Sequence, residues 1–577
     1  VIIDSIGNIA SKKELDDALN EKSVADMSRA KALKGLFRMV TPMLTLRDIP
    51  LLAVNHTYQE IGLFPKQIVS GGTGIYYSAD NIWIIGRRQE KTGTEVTGYD
   101  FVINVEKSRF VKEKSKIPIN VTWEGGINKS EGLKIAQILS DSGLVDYLNV
   151  NKGRIHTDPI LTKHIPIQGM KSAPHLEFAG EIKKEIQLPI FHASKISDVA
   201  TARYAISNGL VDMIGMTRGH LADPHIVTKI KEKREEDIRP CVGATYCLDR
   251  IYQGEEALCI HNAATGRELK FPNIISPSTV KKKIVVVGAG PAGLEAARIA
   301  GERGHEVIVF EAAPDPGGQI RLCAKSERRR DMLGIIDWRM QQCAKKNVKF
   351  NFNAVAESQD ILDEKPHTVI IATGGMPNLE LFETKKNLEN VYTSWDIISG
   401  DIKLSDNILI YDEAGDHTGM QSAEIAIKEG STVEFMTPDR LISSEIMGMN
   451  LTPYLKNLQD KKITYSIAKR LLDVSIKGNK LNALIGSDYD ENFKYNSSYD
   501  QVFLNYGIKP LDELYYSLVP FSKNKGKVDY NKFINGDEQD IIKSDNNKFN
   551  LFRIGDAVSS RNIHAAIYDA LRLVINL

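Results

Sequence analysis

The stretch KKKIVVVGAGPAGLEAARIAGERGHEVIVFE, beginning at Lys281, constrains this chain more than any other. An apolar strand runs into Gly288, Gly290 and Gly293 and a helix-forming segment follows at once, which places the spacing G-x-G-x-x-G between a strand and a helix. Each glycine answers a physical need: a tight turn, close approach of a ligand to the backbone, and close packing of helix on strand. The free N–H groups and the positive dipole end of the helix then face a pyrophosphate. Glu311 closes the next strand, where a carboxylate can accept from a ribose diol. A glycine triplet alone marks many turns; strand, helix and acid together point to an adenine dinucleotide.

Three later pieces separate a flavin dinucleotide from a nicotinamide one at this turn. Pro316, Gly317, Gly318 and Gln319 follow the acid closely, Ala372, Thr373, Gly374 and Gly375 close the strand HTVIIATGG, and Gly555 and Asp556 sit in LFRIGDA near the end. In this order they resemble the two-dinucleotide-domain flavoproteins of the disulfide-reductase type. The resemblance implies FAD, or its ADP portion, with Gly318 and Gln319 beside the flavin. It also implies Thr373 and Gly374 at the crossing between domains, and Asp556 against the ribityl chain or pyrophosphate. A second unit, NILIYDEAGDHTGMQSAEIAIKEGSTVEFMT, has strand, turn and helix, but with Gly419 as the third glycine, Ala414 and Asp416 stand at the first two. An aspartate facing a pyrophosphate repels it, so this unit is expected to be Rossmann-like and to bind no NAD(P)H.

With 577 residues the chain exceeds one core, and about 150 residues per domain suggests three or four. Lys plus Arg and Asp plus Glu both number 74, so no basic face is advertised for nucleic acid or anionic lipid. No apolar run approaches the roughly 20 residues of a membrane helix, and the opening lacks the order of a signal peptide. The expectation is a soluble cytoplasmic protein without nucleic-acid or membrane partners, although Val1 in place of Met suggests a missing or processed N-terminus. Up to about Asp223, short β-branched runs (FPKQIV, YDFVINV, IPINVTW, DYLNVNKG, LPIFHAS, VDMIGMTRG) alternate with charged helical segments. That alternation predicts βα units of a TIM-type barrel, shortened because a complete one takes about 250 residues. The opening VIIDSIGNIASKKELDDALNEKSVADM echoes LPIFHASKISDVATARYAISNGLVDM. Any two βα units look alike, which is the plain reading of the echo; the sharper one is a rearranged N-terminal part. The linker KFPNIISPSTVKKK precedes the glycine turn. The expected α/β organisation is therefore a shortened barrel over residues 1–240 and a cysteine segment with linker over 241–280. FAD-binding parts follow at 281–400 and 511–577, around a degenerate NAD(P)-like domain at 401–510.

Three of the five cysteines crowd into RPCVGATYCLDRIYQGEEALCIHNAATGRE, which suits a metal cluster in a reducing compartment better than disulfides. Here the chain resembles the trimethylamine dehydrogenase and 2,4-dienoyl-CoA reductase family, in which an FMN barrel, a four-iron cluster and a dinucleotide module follow in this order. The family wraps its cluster with four cysteines, the normal requirement for [4Fe-4S]. This chain keeps Cys241, Cys247 and Cys259 and has Ala244 at the remaining position. Three thiolates could hold a three-iron cluster, or a four-iron cluster completed by a ligand such as His261; the alternative is a loop that keeps its shape without iron.

The resemblance is closest from about Gly209 onward. In VDMIGMTRGHLADPHIVTKI it implies that Arg218, with the preceding strand end His192 to Lys195, grips the FMN phosphate, and that Gln67 in FPKQIVSGG lies against the flavin ring. The tail from NYGIKPLDEL to LFRIGDAVSSRNIHAAIYDALRL resembles the branch that demethylates N-methylproline or dimethylglycine. What it implies is oxidative N-demethylation of a small methylated amine, with electrons passing from FMN through the iron–sulfur centre to an electron-transfer flavoprotein or another redox acceptor, in a chain that can form a homo-oligomer. The departures fall where chemistry belongs. Thr122 stands where the family has an Arg at the flavin edge, and the loop after YDFVINV that would carry substrate-side residues is missing. No catalytic acid or base can be named. Two alternatives stay open: an NADH-dependent dienoyl-CoA or enoate reductase, which Ala414 and Asp416 disfavour, and a nucleotide-binding remnant without activity.

Overall fold

The computed structural model describes residues 2–3, 27–46, 51–53, 57–59, 67–69, 76, 78–92, 95–108, 116–122, 129–380, 388–544 and 547–577. The chain divides into two compact units, one of Val1–Leu148 with Glu181–Pro189 and one of Asn149–Gly180 with Ile190–Leu577.

The first unit contains a three-stranded antiparallel sheet in the order Asn81–Thr92, Glu95–Ser108, Lys116–Thr122. Its first two strands run 12 and 14 residues and pair from Asn81 with Ser108 to Thr92 with Glu95. Alternation along the first strand turns Ile84 inward, where it is buried, while its chain neighbours Trp83 and Ile85 are exposed. YDFVINV and IPINVTW, expected above as parallel barrel strands, are antiparallel neighbours here, with Phe101 opposite Ile119. Spacing is the reason. A parallel crossover takes a dozen or more residues, whereas only residues 109–115 separate these two strands.

In the second unit, barrel-type βα structure is present. Ile190–His192 and Met213–Ile214 pair in parallel, with the helix Val199–Ser207 between them in sequence and Asp198 capping that helix through Thr201 N–H. The dinucleotide domain that follows is a five-stranded parallel sheet in the order Lys349–Asn351, Glu306–Phe310, Lys283–Val287, Thr368–Ile371, Asn550–Arg553. Its central strands are continuous apolar runs because helices cover both faces. The chain leaves through Gly375–Pro377 and returns through Ile508–Pro510, which pair antiparallel.

Between these crossings lies a second parallel sheet, ordered Val391–Thr393, Gln501–Asn505, Asn407–Asp412, Thr432–Met436, Ile463–Ser466. It includes Val391–Thr393, ahead of the boundary expected at residue 400. One of its faces packs Leu409, Tyr411 and Met436 against an antiparallel sheet formed by Arg470–Lys477, Lys480–Gly486 and Tyr495–Tyr499.

Candidate functional site: a dinucleotide turn, a cysteine loop and a barrel end

The glycine turn does what its spacing implies, for two different reasons. Gly288 has φ +102°, and a Cβ there would lie 2.3 Å from Ala372 O. A Cβ on Gly293 would lie 1.9 Å from Gly288 O, so both positions are closed by the protein itself. Gly290, the N-cap of the helix Pro291–Glu302, has nothing within 4 Å of a built Cβ. Its open side leaves the first N–H groups of the helix accessible to an anion.

The other sequence-selected residues gather around this turn. Glu311 reaches back so that one oxygen accepts from Ala289 N–H at 2.6 Å and the other from Ala313 N–H at 2.8 Å. Gly318, with φ +49°, sets its built Cβ 3.5 Å from Gly290 Cα. Gln319 Nε2 donates to Asp556 Oδ2 at 3.0 Å, and burial raises the Asp556 carboxyl above the ordinary carboxylate range. Thr373 Oγ1 donates to Leu511 O, and Gly374 turns the chain at φ +73°, so these two fasten the outgoing chain to the returning one. A cavity of about 520 Å³ opens beside Gly318 and Gln319, bounded by Leu322, Lys325, Leu333 and Trp395. Its volume falls in the range of small-molecule sites.

The turn between Asn407–Asp412 and the helix His417–Lys428 is occupied by the chain's own carboxylates. Asp416 is the N-cap of the helix His417–Lys428 and accepts from Thr418 N–H at 2.9 Å, so its carboxylate fills the place a phosphate would take. Asp412 lies fully buried beneath it, with Oδ1 accepting from Gly415 N–H and Asn505 Nδ2. Its Oδ2 has no partner among the described residues. Burial first, and the Asp416 charge second, push the Asp412 carboxyl up to about 8.

The cysteine loop bridges two parts of the second unit. On one side Gln168 Nε2 donates to Val242 O at 3.2 Å and Arg239 N–H to Asp223 Oδ2 at 2.8 Å. On the other, His564 Nδ1–H donates to Cys259 O at 2.8 Å and Arg339 Nη2 to His261 O at 3.0 Å, fixing the loop to the dinucleotide domain. Cys241, Cys247 and Cys259 are all free thiols. Burial pushes Cys247 up to about 12, and the thiols of Cys241 and Cys259 elsewhere in the loop add to this. Ala244 packs against the apolar core of the dinucleotide domain and offers no donor. His261, considered above as a fourth ligand, is held through one ring nitrogen and leaves Nε2 buried without a partner among the described residues. Its Nδ1 meets Pro240 O at 3.0 Å, its ring meets Trp338 edge-on, and burial with Arg339 and Arg239 nearby keeps it neutral.

Lys195 and Arg218 lie near the cysteine loop. Burial lowers the Lys195 pKa, and the charges around it are Asp331, Arg218 and Cys241, while Arg218 also acts on Cys247. Lys195 Nζ donates to Ile167 O at 2.8 Å and to Met170 O. Arg218 Nη1 and Ser194 Oγ are buried without partners among the described residues, and His192 Nε2 is likewise unpartnered. Ser194 lies within the strand end His192 to Lys195 that the resemblance pointed to, although it was not named individually there. Gln67 belongs to a short antiparallel pair with Thr57–Gln59, and Thr122 ends the antiparallel sheet; neither stands in a parallel barrel strand. Among the described residues no three His, Cys, Asp or Glu side chains approach closely enough for a single metal ion, and no helix is long and apolar enough to cross a membrane.

Residues 282–570 match the pyridine nucleotide-disulphide oxidoreductase family. A probable N-methylproline demethylase of Rhizobium meliloti is 58% identical over 450 residues, which are 78% of this chain and 66% of that protein. A multifunctional alkene reductase/demethylase of Caballeronia cordobensis is 34% identical over 537 residues, 91% of this chain and 78% of its own. The recombination and repair protein of Enterobacteria phage T4 is 58% identical over 133 residues, 23% of this chain and 34% of that protein. Among solved structures, a 2-naphthoyl-CoA reductase complex shares the fold with a TM-score of 0.65 at 24% identity, over 79% of this chain and 63% of its own. The chain spans about two thirds of the demethylase's length. From the dinucleotide turn, the cysteine loop and these matches together, the chain belongs to the pyridine nucleotide-disulphide oxidoreductases, in the branch of trimethylamine dehydrogenase-like and 2,4-dienoyl-CoA reductase-like flavin oxidoreductases.

Proposed function

We propose that this chain is the electron-handling part of a flavin-dependent oxidoreductase that oxidatively demethylates a small N-methylated amine. One observation carries the reading: the cysteine loop is hydrogen-bonded to the barrel end through Val242 and Arg239 and to the dinucleotide domain through Cys259 and His261. A one-electron carrier held in that loop would lie between an amine-oxidising flavin and FAD. The demethylase relative supports the substrate class.

The residues present fit the three groups unequally. FAD suits the open face at Gly290, the Gly317–Gly318 turn and the cavity next to Gln319. An iron–sulfur centre would be held by the free thiols of Cys241, Cys247 and Cys259, which belong to one loop but do not converge on a single metal position in this structure, and the His261 backbone N–H lies 3.4 Å from Cys259 Sγ, where it would hydrogen-bond a cluster ligand. With Ala244 packed against the core, Cys241, Cys247 and Cys259 would be its thiolate ligands, and the unpartnered Nε2 of His261 is the nitrogen left to complete the set. For FMN, Arg218 Nη1 and Ser194 Oγ are donors without partners among the described residues, whereas Gln67 and Thr122, expected at the ring, stand in antiparallel strands. FMN, when bound, supplies the two-electron acceptor for an amine C–H bond, and water then hydrolyses the iminium to formaldehyde and the demethylated amine. Lys195 and Arg218 would hold and neutralise the phosphate, and the capped helix at Asp416 would keep NAD(P)H away, leaving the oxidant to another redox acceptor.

Flavin extraction with iron and sulfide analysis tests this. The expected result is FAD near one per chain together with a broad visible band bleached by dithionite. Purified chain that takes up neither FAD nor iron on reconstitution rejects the reading.

A further inference from the structure

We infer that the chain joins two segments of separate descent: a first segment derived from a recombination and repair protein, and a flavoprotein segment that starts part-way through its barrel. The inference goes beyond the function proposed above and does not depend on which amine is oxidised.

Topology is the first support. Barrel strands are parallel, and each is followed by a helix. In the first unit the strands Asn81–Thr92, Glu95–Ser108 and Lys116–Thr122 instead form an antiparallel meander, closed between its first two strands by the pair Thr92 and Glu95. The second support is how the matches divide the chain. The demethylase accounts for 78% of it and the repair protein for 23%, each at 58% identity, so the chain is shared out almost without remainder. Two matches of equal identity to proteins of unrelated kind, whose shares together equal the chain, are what a join of two ancestors would leave. The alkene reductase/demethylase match reaches 91% of the chain and therefore runs into the first unit, but at 34% identity overall it sets a barrel-bearing sequence against an antiparallel sheet.

A consequence follows for chemistry. Gln67 and Thr122 stand in antiparallel strands, and among the described residues the parallel sheet that leads to Ser194 and Arg218 has three strands, against the eight that close a barrel around a flavin. A phosphate held alone forfeits the ring burial that supplies most of a cofactor's apolar contact. The flavin complement of the chain is therefore a single FAD with no FMN.

The experiment reconstitutes the full chain with FAD and FMN together, removes free flavin, and identifies the bound flavin by chromatography after acid release. FMN below about a tenth of the chain concentration is expected, and FMN near one per chain overturns the inference. The FAD in the same sample reports separately on the dinucleotide site: its loss would count against the proposed function and leave the FMN result standing. As a second reading, Gln67→Leu and Thr122→Arg are expected to leave flavin content and absorbance unchanged. A shifted flavin band, or FMN gained in either variant, would likewise overturn separate descent.

Discussion

Three glycines of one motif serve different ends, and substitution separates them. Gly293→Ala forces a methyl group toward Gly288 O, a contact of 1.9 Å that the backbone must relieve. Overpacking of this kind costs about 1–3 kcal/mol, which a denaturant midpoint would register. Gly290→Asp has open space for its side chain, so its denaturation midpoint in the absence of flavin is expected to stay near that of the parent. Its carboxylate would repel a pyrophosphate at the helix N-terminus, and FAD content is expected to fall to background; normal FAD content in that variant would remove the pyrophosphate assignment. Asp412 gives a pH signature. Its folded carboxyl titrates near 8, above the unfolded value of about 3.8, because of burial and then Asp416. Between these two values the unfolded chain has released a proton that the folded one retains, so stability falls as pH rises from about 4 to 8 and levels off above that. Asp412→Asn is isosteric and does not ionise. It is expected to flatten that part of the melting-temperature profile, and an unchanged slope would show that the group titrates normally.

At the scale of elements, the helix His417–Lys428 carries a carboxylate cap of its own at the turn where a nucleotide phosphate would otherwise sit. Asp416 caps it, Asn505 Nδ2 bridges Asp412 and Asp416, and the turn is filled by the chain's own carboxylates. Titration with NADPH is expected to give no saturable fluorescence change. A micromolar Kd, about −8 kcal/mol of binding, would show that the cap yields to a phosphate. This closure was legible in the sequence, because Asp416 sits one residue before a helix and its neighbours along the chain decide its role. The antiparallel sheet of the first unit was misread for a complementary reason. Apolar runs such as YDFVINV look the same in parallel and antiparallel strands, and only the short spacing of residues 109–115 distinguishes them.

For the whole molecule, the distribution of parts sets the activity to be expected. The phosphate-side residues Arg218 and Ser194, the three thiols and the FAD turn lie in one unit, while the positions aligned with the ring side lie in an antiparallel sheet. Dimethylglycine, N-methylproline and trimethylamine are accordingly expected to yield formaldehyde slowly or not at all with the chain as it stands. A charge-assisted hydrogen bond contributes roughly 1.5–3 kcal/mol, so Thr122→Arg would have raised FMN affinity tens-fold had the position faced a flavin. No gain in formaldehyde release is expected from that variant. Brisk release by the unmodified chain would show that the amine-oxidising site is complete.

The sequence alone determined what depends on near neighbours: the glycine turn and its helix, the acid at Glu311, the closed turn at Asp416, the crossing at Thr373–Gly374 and the loss of a ligand at Ala244. These are set by strand, turn and helix geometry over a few residues, and composition is enough to specify them. Tertiary structure decided what depends on distant segments meeting. It fixed His261 against Pro240, Arg339 and Trp338, brought Lys195 and Arg218 to the cysteine loop, exposed Ser194 as an unpaired donor, and paired the strands of the first unit antiparallel. The physical reason is that a side chain's partners across space are chosen by packing and burial of the whole unit, and no local pattern of residues carries that information.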